Sequence, residues 1–195
     1  MKKLLALALF LALPATAATV GVPAPDFALE NAAGGTVKLS QYRGKYVVLE
    51  WVNPECPYVR KHYGSANMQR LQKDYTAKDV VWLTINSTRA GHPEYKPAAE
   101  MAGWMKKMNA ASSATLLDPK GDAGKAYAAR TTPHMYIVDP KGVLAYAGGI
   151  DDKRSTDTED VKTAKNYVRA AMDELLAGKP VSNASTAPYG CSVKY

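Results

Sequence analysis

The chain holds two cysteines, and the residues around them indicate what chemistry it could perform. Cys56 lies between an apolar run and Pro57, in the segment Trp51-Val-Asn-Pro-Glu-Cys-Pro-Tyr-Val59. Because proline is favoured at the first position of a helix, this order predicts a helix that begins beside Cys56. The free backbone amides and the dipole at that end favour a thiolate, which attacks peroxides and disulfides. The alternative is a small buried apolar side chain.

Cys191 lies near the C-terminus, in Pro188-Tyr-Gly-Cys-Ser-Val-Lys-Tyr195. About 14 residues separate it from the last predicted helix, and at roughly 3.3 Å each they could cross a domain of this size. Cys191 could therefore reach Cys56 and act as its resolving thiol. The resulting loop of about 135 residues would stabilise the fold by roughly 5 kcal/mol whether the disulfide were catalytic or static. A reversible disulfide, a static disulfide, and unpaired or intermolecular thiols all remain open.

Glu50 is a candidate for proton transfer because it interrupts an apolar run six residues before Cys56. The two-residue period of a strand predicts that Glu50 and Trp51 face opposite sides of a sheet. A buried carboxyl group there would have a raised pKa, which suits a general acid or base for a leaving thiol. The alternative is a glutamate at a strand end, paired with a lysine such as Lys45.

Pro133 and His134 are the next candidates. Pro133 precedes a predicted strand, and we expect a cis bond before it, because only X-Pro bonds adopt cis at low cost. His134 could tune Cys56 or bind a metal together with it, but an isolated histidine in this position is more typical of a structural residue. We predict no metal ligand and no cofactor.

The first residues predict export from the cytoplasm. Lys2 and Lys3 precede an apolar run from Leu4 to Leu13, and Ala15-Thr-Ala17 offers small residues for cleavage. The run is too short for a membrane span, so we predict a signal peptide over residues 1–17 and a periplasmic protein. A buried core helix is the alternative. An oxidising periplasm would allow a disulfide to persist.

Charge and composition restrict the partners. The net charge is +7, and the basic residues alternate with acidic ones instead of forming a stripe. We therefore predict no nucleic-acid partner. The sequence has no second apolar run of membrane-spanning length, so we also predict no membrane span in the mature chain.

The periodicity predicts alternating elements. Strands are expected at 46–52, 80–85, 115–117, 135–138 and 143–146, and helices at 57–75, 98–108, 122–129 and 158–176. One helix face should bury the side chains of Tyr63, Met68, Leu71 and Tyr75. This order, with a terminal hairpin and helix, predicts an α/β sandwich around a mixed sheet.

Several segments resemble the redoxin or peroxiredoxin-like branch of the thioredoxin-fold superfamily, of the alkyl hydroperoxide reductase and thiol-specific antioxidant type. The entry segment Pro23-Ala-Pro-Asp-Phe-Ala-Leu29, followed by Val37-Lys-Leu-Ser-Gln-Tyr-Arg-Gly-Lys45, is similar to the start of these domains. The junction at Cys56 resembles their active-site turn, and Thr131-Thr-Pro-His-Met-Tyr-Ile-Val-Asp139 resembles the loop of their cis-proline. Cys-Pro-Tyr-Val with a terminal Gly-Cys-Ser-Val-Lys-Tyr resembles a periplasmic subset.

The resemblance implies a thioredoxin-like three-layer sandwich with a central mixed sheet and an N-terminal extension. This domain would span 18–177, and residues 178–195 would form a tail that carries Cys191. The implied function is that of a thiol-dependent oxidoreductase and antioxidant, a monomer or homodimer that a thioredoxin-like partner reduces. The implied catalytic residues are Cys56, Cys191 and Glu50, and the implied substrate-binding residues are Pro133, Thr132 and Pro57.

Two departures leave the substrate open between a peroxide and a protein disulfide. A thioredoxin-type dithiol would place its second cysteine at Val59, and peroxiredoxins usually carry threonine or serine at the position of Asn53. The alternative function is a secreted, non-enzymatic binding or metal-handling module with a static Cys56–Cys191 disulfide.

Overall fold

The computed structural model describes residues 18–195, which fold around two sheets and five α-helices. The strands are β1 (Ala28–Asn31), β2 (Thr36–Lys38), β3 (Val47–Trp51), β4 (Val81–Asn86), β5 (Ala114–Leu117), β6 (Thr131–Thr132), β7 (His134–Val138), β8 (Leu144–Gly148) and β9 (Cys191–Ser192). The helices are α1 (Pro57–Gly64), α2 (Asn67–Thr76), α3 (Ala98–Lys107), α4 (Asp122–Ala126) and α5 (Tyr167–Leu176). Short 3-10 helices span Leu39–Tyr42 and Glu159–Lys162.

The central sheet has seven strands in the order β2-β1-β5-β4-β3-β7-β8. Strands β3, β4 and β5 are parallel, and the other neighbours are antiparallel, so the sheet is mixed. Every residue of β3 is buried, as expected for an apolar strand covered on both faces. Strands β6 and β9 form a separate antiparallel pair.

Apolar clusters cover both faces of the sheet, which gives three layers. Trp51 belongs to the cluster that includes Ala123 of α4, whereas Val48 and Val52 belong to the cluster formed with α1, α2 and α5. Cys56 lies in this second cluster. The predicted α/β fold with a thioredoxin-like three-layer sandwich is confirmed.

The single helix predicted over 57–75 is wrong, because the chain forms two helices there. Helix α1 ends at Gly64, and Ala66 then adopts the left-handed conformation with φ of 56° before α2 begins. Glycine is a poor residue inside a helix, and it allows the break. The four side chains expected on one buried face are nevertheless buried: Tyr63, Met68, Leu71 and Tyr75.

The helix predicted over 158–176 is also shorter than expected. Its first part is the 3-10 helix Glu159–Lys162, and α5 begins only after Asn166. The Asn166 side chain accepts a hydrogen bond from the Arg169 amide at 2.9 Å. This capping bond satisfies a free amide and fixes the start of α5.

The predicted signal peptide covers residues 1–17, which lie outside the described residues. None of the helices within residues 18–195 has the length and apolar composition of a membrane-spanning segment.

The tail after α5 returns along the edge of the central sheet. Ser185 bridges Ala147 of β8, and Thr186 Oγ1 accepts the Gly149 amide at 3.0 Å. Tyr146 and Thr186 join their hydroxyls at 2.6 Å. These contacts direct the chain toward β6, where it forms β9.

Candidate active site

Cys56 occupies the N-cap of α1, as the sequence predicts. Its backbone is extended, with φ of −72° and ψ of 123°, and Pro57 follows as an exposed residue at the helix start. Only 2% of Cys56 is exposed, and its Sγ donates a hydrogen bond to the Thr132 carbonyl at 3.0 Å. The thiol therefore lies between a helix N-terminus and the strand β6.

The loop that covers Cys56 contains a cis peptide bond between Thr132 and Pro133, which confirms the sequence prediction. Thr132 is buried, and its carbonyl faces the Cys56 sulfur. The Thr132 hydroxyl is buried too, and within residues 18–195 it has no hydrogen-bond partner. The structure thus brings together three of the predicted site residues: Cys56, Thr132 and Pro133.

Cys191 reaches the same loop through strand β9. In the antiparallel pair of β6 and β9, Cys191 lies opposite Thr132, and the Val193 amide donates to the Arg130 carbonyl at 3.1 Å. Gly190 lies against the loop so closely that a Cβ atom there would be 2.0 Å from the Thr132 carbonyl oxygen. The tail therefore presents Cys191 where Cys56 contacts β6.

The environment of Cys191 favours its protonated form. Burial, followed by a hydrogen bond and charge repulsion from the Cys56 sulfur, raises the pKa of the Cys191 thiol to about 12. Lys194 partly opposes this rise, and Glu94 adds to it. Cys191 is only half-buried, and both cysteines are free thiols in this structure.

Glu50 is completely buried on the face of the sheet that carries Cys56. Burial raises the pKa of its carboxyl group, although four donors partly offset the effect. The donors are Tyr63 at 2.8 Å, Trp82 at 2.8 Å, Gln72 at 3.2 Å and Thr84 at 3.4 Å. The predicted alternative is wrong, because Lys45 pairs with Asp79 at 2.6 Å.

A cluster that the sequence did not reveal lies under the tail beside α1. Its members are the buried side chains of Lys61, His62, Asp151 and Tyr189. Lysine and histidine are seldom fully buried, so they do not indicate the buried face of a helix, and the sequence of the tail has no periodicity. The pattern of apolar and polar residues therefore could not predict this cluster. The aromatic residue before Gly190 and Cys191 was the one available signal.

Comparison with known proteins shows which family this chain belongs to. The model of the AhpC/TSA family matches residues 20–147. The chain belongs to the AhpC/TSA family. Over 170 residues it is 31% identical to a Synechocystis sp. protein whose name marks it provisionally as a peroxiredoxin, covering 80% of this chain and 82% of that protein.

Two further proteins are similar to this chain in sequence or in fold. The thioredoxin-like protein YneN of Bacillus subtilis is 31% identical over 124 residues, which are 64% of this chain and 68% of YneN. The crystal structure of an uncharacterised conserved protein from Geobacillus kaustophilus superposes with a TM-score of 0.79 at 30% identity, covering 91% of this chain and 92% of the other. The chain is therefore a redox protein of thioredoxin-like fold.

Asn53, three residues before Cys56, stabilises the local turn in this AhpC/TSA protein. Its Oδ1 accepts the Glu55 amide at 2.8 Å, and its Nδ2 donates to Glu94 at 2.6 Å. Arg60, four residues after Cys56, bonds to Glu55 and to the Pro54 carbonyl. The charge of Arg60 is thus compensated by Glu55.

His134 does not face the cysteine pair. Its Nδ1 lies 3.2 Å from the Arg130 amide and 3.0 Å from the Tyr136 hydroxyl, on the sheet face opposite Met135 and Cys56. Burial lowers the pKa of His134 to about 3, so the ring is neutral. Among residues 18–195, no group of three or more His, Cys, Asp and Glu side chains is arranged to hold a metal ion.

Proposed function

We propose that this protein is a thiol-dependent peroxidase in which Cys56 is the nucleophile and Cys191 the resolving thiol. The observation that carries the proposal is the pairing of β9 with β6, which sets Cys191 opposite Thr132, the residue whose carbonyl accepts from Cys56. Once a peroxide has oxidised Cys56 to a sulfenic acid, Cys191 can form the disulfide with it without an encounter with a second protein molecule.

The burial of Cys56 favours a small substrate. Cys56 is covered by the Thr132–Pro133 loop, and β9 already occupies the edge of β6 that an extended polypeptide would use. A hydroperoxide needs to bring only one oxygen atom to the sulfur. A protein disulfide would require the tail to leave β6 first.

The proposed reaction has three balanced steps. The Cys56 thiolate attacks the terminal oxygen of a hydroperoxide, which gives a sulfenic acid and, after one proton is taken up, an alcohol or water. The Cys191 sulfur then attacks Cys56, and hydroxide leaves with the Cys191 proton as water. A thioredoxin-like dithiol reduces the resulting disulfide and is itself oxidised to a disulfide.

We also propose roles for Glu50 and for the residues around Cys56. Glu50 would hold or release a proton near the leaving groups, with the raised pKa that burial imposes. Thr132, Pro133 and Pro57 would line the approach to Cys56. The protein would act in the periplasm after removal of residues 1–17, with a membrane-linked thioredoxin-like reductant.

Disulfide exchange is the second candidate, and the observation that favours it is Asn53. The Asn53 side chain bonds to the Glu55 amide and to the Glu94 carboxylate, and it has no hydroxyl group that could bind a peroxide. If exchange is the main activity, β9 must separate from β6 to admit the substrate.

One experiment compares the two candidates. Turnover of hydrogen peroxide and cumene hydroperoxide, with a thioredoxin-like donor in excess, is measured beside the reduction of insulin by the same enzyme. We expect peroxide turnover that Cys56→Ser abolishes, and insulin reduction no faster than that of the donor alone. Insulin reduction without peroxide turnover would contradict the peroxidase proposal.

A further inference from the structure

A directed chain of buried hydrogen bonds connects α1 to the tail. The Asn67 amide nitrogen lies 3.0 Å from His62 Nδ1, and since an amide NH₂ can only donate, His62 carries its proton on Nε2. That Nε2 lies 3.1 Å from the Tyr189 hydroxyl, which in turn donates to Asp151 Oδ1. Burial lowers the pKa of His62 to about 3, which keeps the ring neutral in this chain.

The ring of Tyr189 is also held on its sides. Tyr58 of α1 packs edge-on at 5.7 Å between ring centroids, and the ammonium of Lys61 lies 5.7 Å from the ring centre. Lys61 is itself fixed by the Lys153 carbonyl at 2.7 Å. Tyr189 is 6% exposed, so it is the most firmly buried residue of the tail near Cys191.

Each cysteine lies close in sequence to one member of this hydrogen-bonded chain. Helix α1 carries Cys56 at its start and His62 six residues later, and the tail carries Tyr189 only two residues before Cys191. Contact of Tyr189 with His62 therefore sets the position of the tail along α1. A shift of the tail would break this contact and move Cys191 away from Cys56.

We propose that Tyr189, held by His62 and Asp151, is a positioning residue that keeps Cys191 in place to resolve Cys56. The inference rests on the proposed function, since it presumes that Cys56 and Cys191 form a disulfide. Burying polar groups is costly, and within residues 18–195 Asp151 Oδ2 has no hydrogen-bond partner, so this network is a weak source of net stability. The bonds of Tyr189 can form in only one position of the tail, which is what a positioning residue requires. The network thereby orders the tail before the disulfide forms, which raises the effective concentration of Cys191 at Cys56.

The test uses Tyr189→Phe, which keeps the ring and removes the hydroxyl. Tyr75→Phe is the matched control, because Tyr75 is a buried tyrosine whose hydroxyl bonds to Asp173 at 2.8 Å and to the Arg169 carbonyl, both on α5 and not on the tail. Disulfide formation is followed after one equivalent of hydrogen peroxide, and the Cys56–Cys191 equilibrium is measured against glutathione. Oxidation of Cys56 alone is measured in the Cys191→Ser background.

We expect Tyr189→Phe to slow disulfide formation about tenfold and to lower its equilibrium constant about tenfold, the size of one buried hydrogen bond. The oxidation rate of Cys56 should stay within about twofold, and Tyr75→Phe should change neither quantity. Asp151→Asn keeps the tyrosine and weakens its acceptor, so it should give a smaller loss of about threefold. It carries the test if Tyr189→Phe does not fold.

The outcomes separate the two proposals. A Tyr189→Phe protein with unchanged rate and equilibrium constant would overturn the positioning role and leave the proposed function intact. If the unmodified protein forms no Cys56–Cys191 disulfide at all, the proposed function fails, and the positioning role fails with it.

Discussion

At the scale of single residues, the two thiols have different environments that suit different roles. Cys56 lies at a helix N-terminus beneath the Thr132 carbonyl and is almost fully buried. Cys191 is half-buried, and its raised pKa keeps it protonated at neutral pH. A resolving thiol can remain protonated until it attacks, because the leaving hydroxide accepts the proton. The unequal environments therefore support the order of steps proposed above.

The pH dependence of Cys191 alkylation follows from its raised pKa. In the reduced protein, the thiolate fraction and hence the rate should keep rising to about pH 12, instead of levelling off near the ordinary value of 9.0. Cys56→Ala removes the hydrogen bond and the charge of the neighbouring sulfur, so the pKa of Cys191 should fall while burial keeps it above 9.0.

Iodoacetamide labelling with peptide mapping measures this profile for Cys191 separately from Cys56. The control is the same Cys191 peptide, labelled in protein unfolded with denaturant, which gives the pH profile of an ordinary exposed cysteine. A Cys191 profile that levels off at or below that of the control would contradict the described contact with Cys56.

At the scale of elements, the fit between β9 and β6 depends on Gly190. Its φ of 142° is one that residues with a side chain rarely adopt, and the space of a Cβ is taken by the Thr132 backbone. Gly190→Ala should therefore separate β9 from β6. We expect disulfide formation to slow at least about tenfold and Cys56 to react faster with small alkylating reagents, since its cover has moved.

Gly178→Ala is the matched control for Gly190→Ala. Gly178 also has a positive φ, of 71°, but nothing lies within 4 Å of the position of its Cβ. Gly178→Ala therefore introduces backbone strain into the same tail without a clash against Thr132. Equal effects of the two substitutions on the thiols would show that contact with Thr132 is unimportant.

The sequence could predict the elements that have strong local signals. The apolar β-branched run of β3, the proline after Cys56 and the X-Pro bond at Pro133 each have a local physical cause, and the structure agrees with all three. The break between α1 and α2 was not predicted, because the spacing of apolar residues continues through it. Only the backbone of Ala66 departs from the helical conformation, with a positive φ.

The place of the tail could not be predicted, since it depends on long-range contacts. Strand β9 has two residues, too few for any periodicity, and its partner β6 lies about 60 residues earlier in the chain. The chain length allowed Cys191 to reach Cys56 but allowed many other positions too. What fixes the tail is Tyr189 in a cluster of buried polar side chains, which composition alone would have assigned to the surface.

At the scale of the whole molecule, the tail that follows α5 covers the Cys56 side of this AhpC/TSA domain. The tail bonds to β8 through Thr186, to α1 through Tyr189 and to β6 through β9. This cover supports the proposed small substrate and the proposed resolving thiol within the same chain.

The most direct test is to map the disulfides after a single turnover. The reduced protein receives one equivalent of hydrogen peroxide, free thiols are blocked by acid quenching and alkylation, and the linked peptides are identified by mass spectrometry. Cys191→Ser is the control, and it should stop at an oxidised Cys56. We expect an intramolecular Cys56–Cys191 disulfide and the loss of both thiols for each peroxide consumed. Two free thiols with the peroxide unconsumed, or Cys56 oxidised while Cys191 stays free in the unmodified protein, would contradict it.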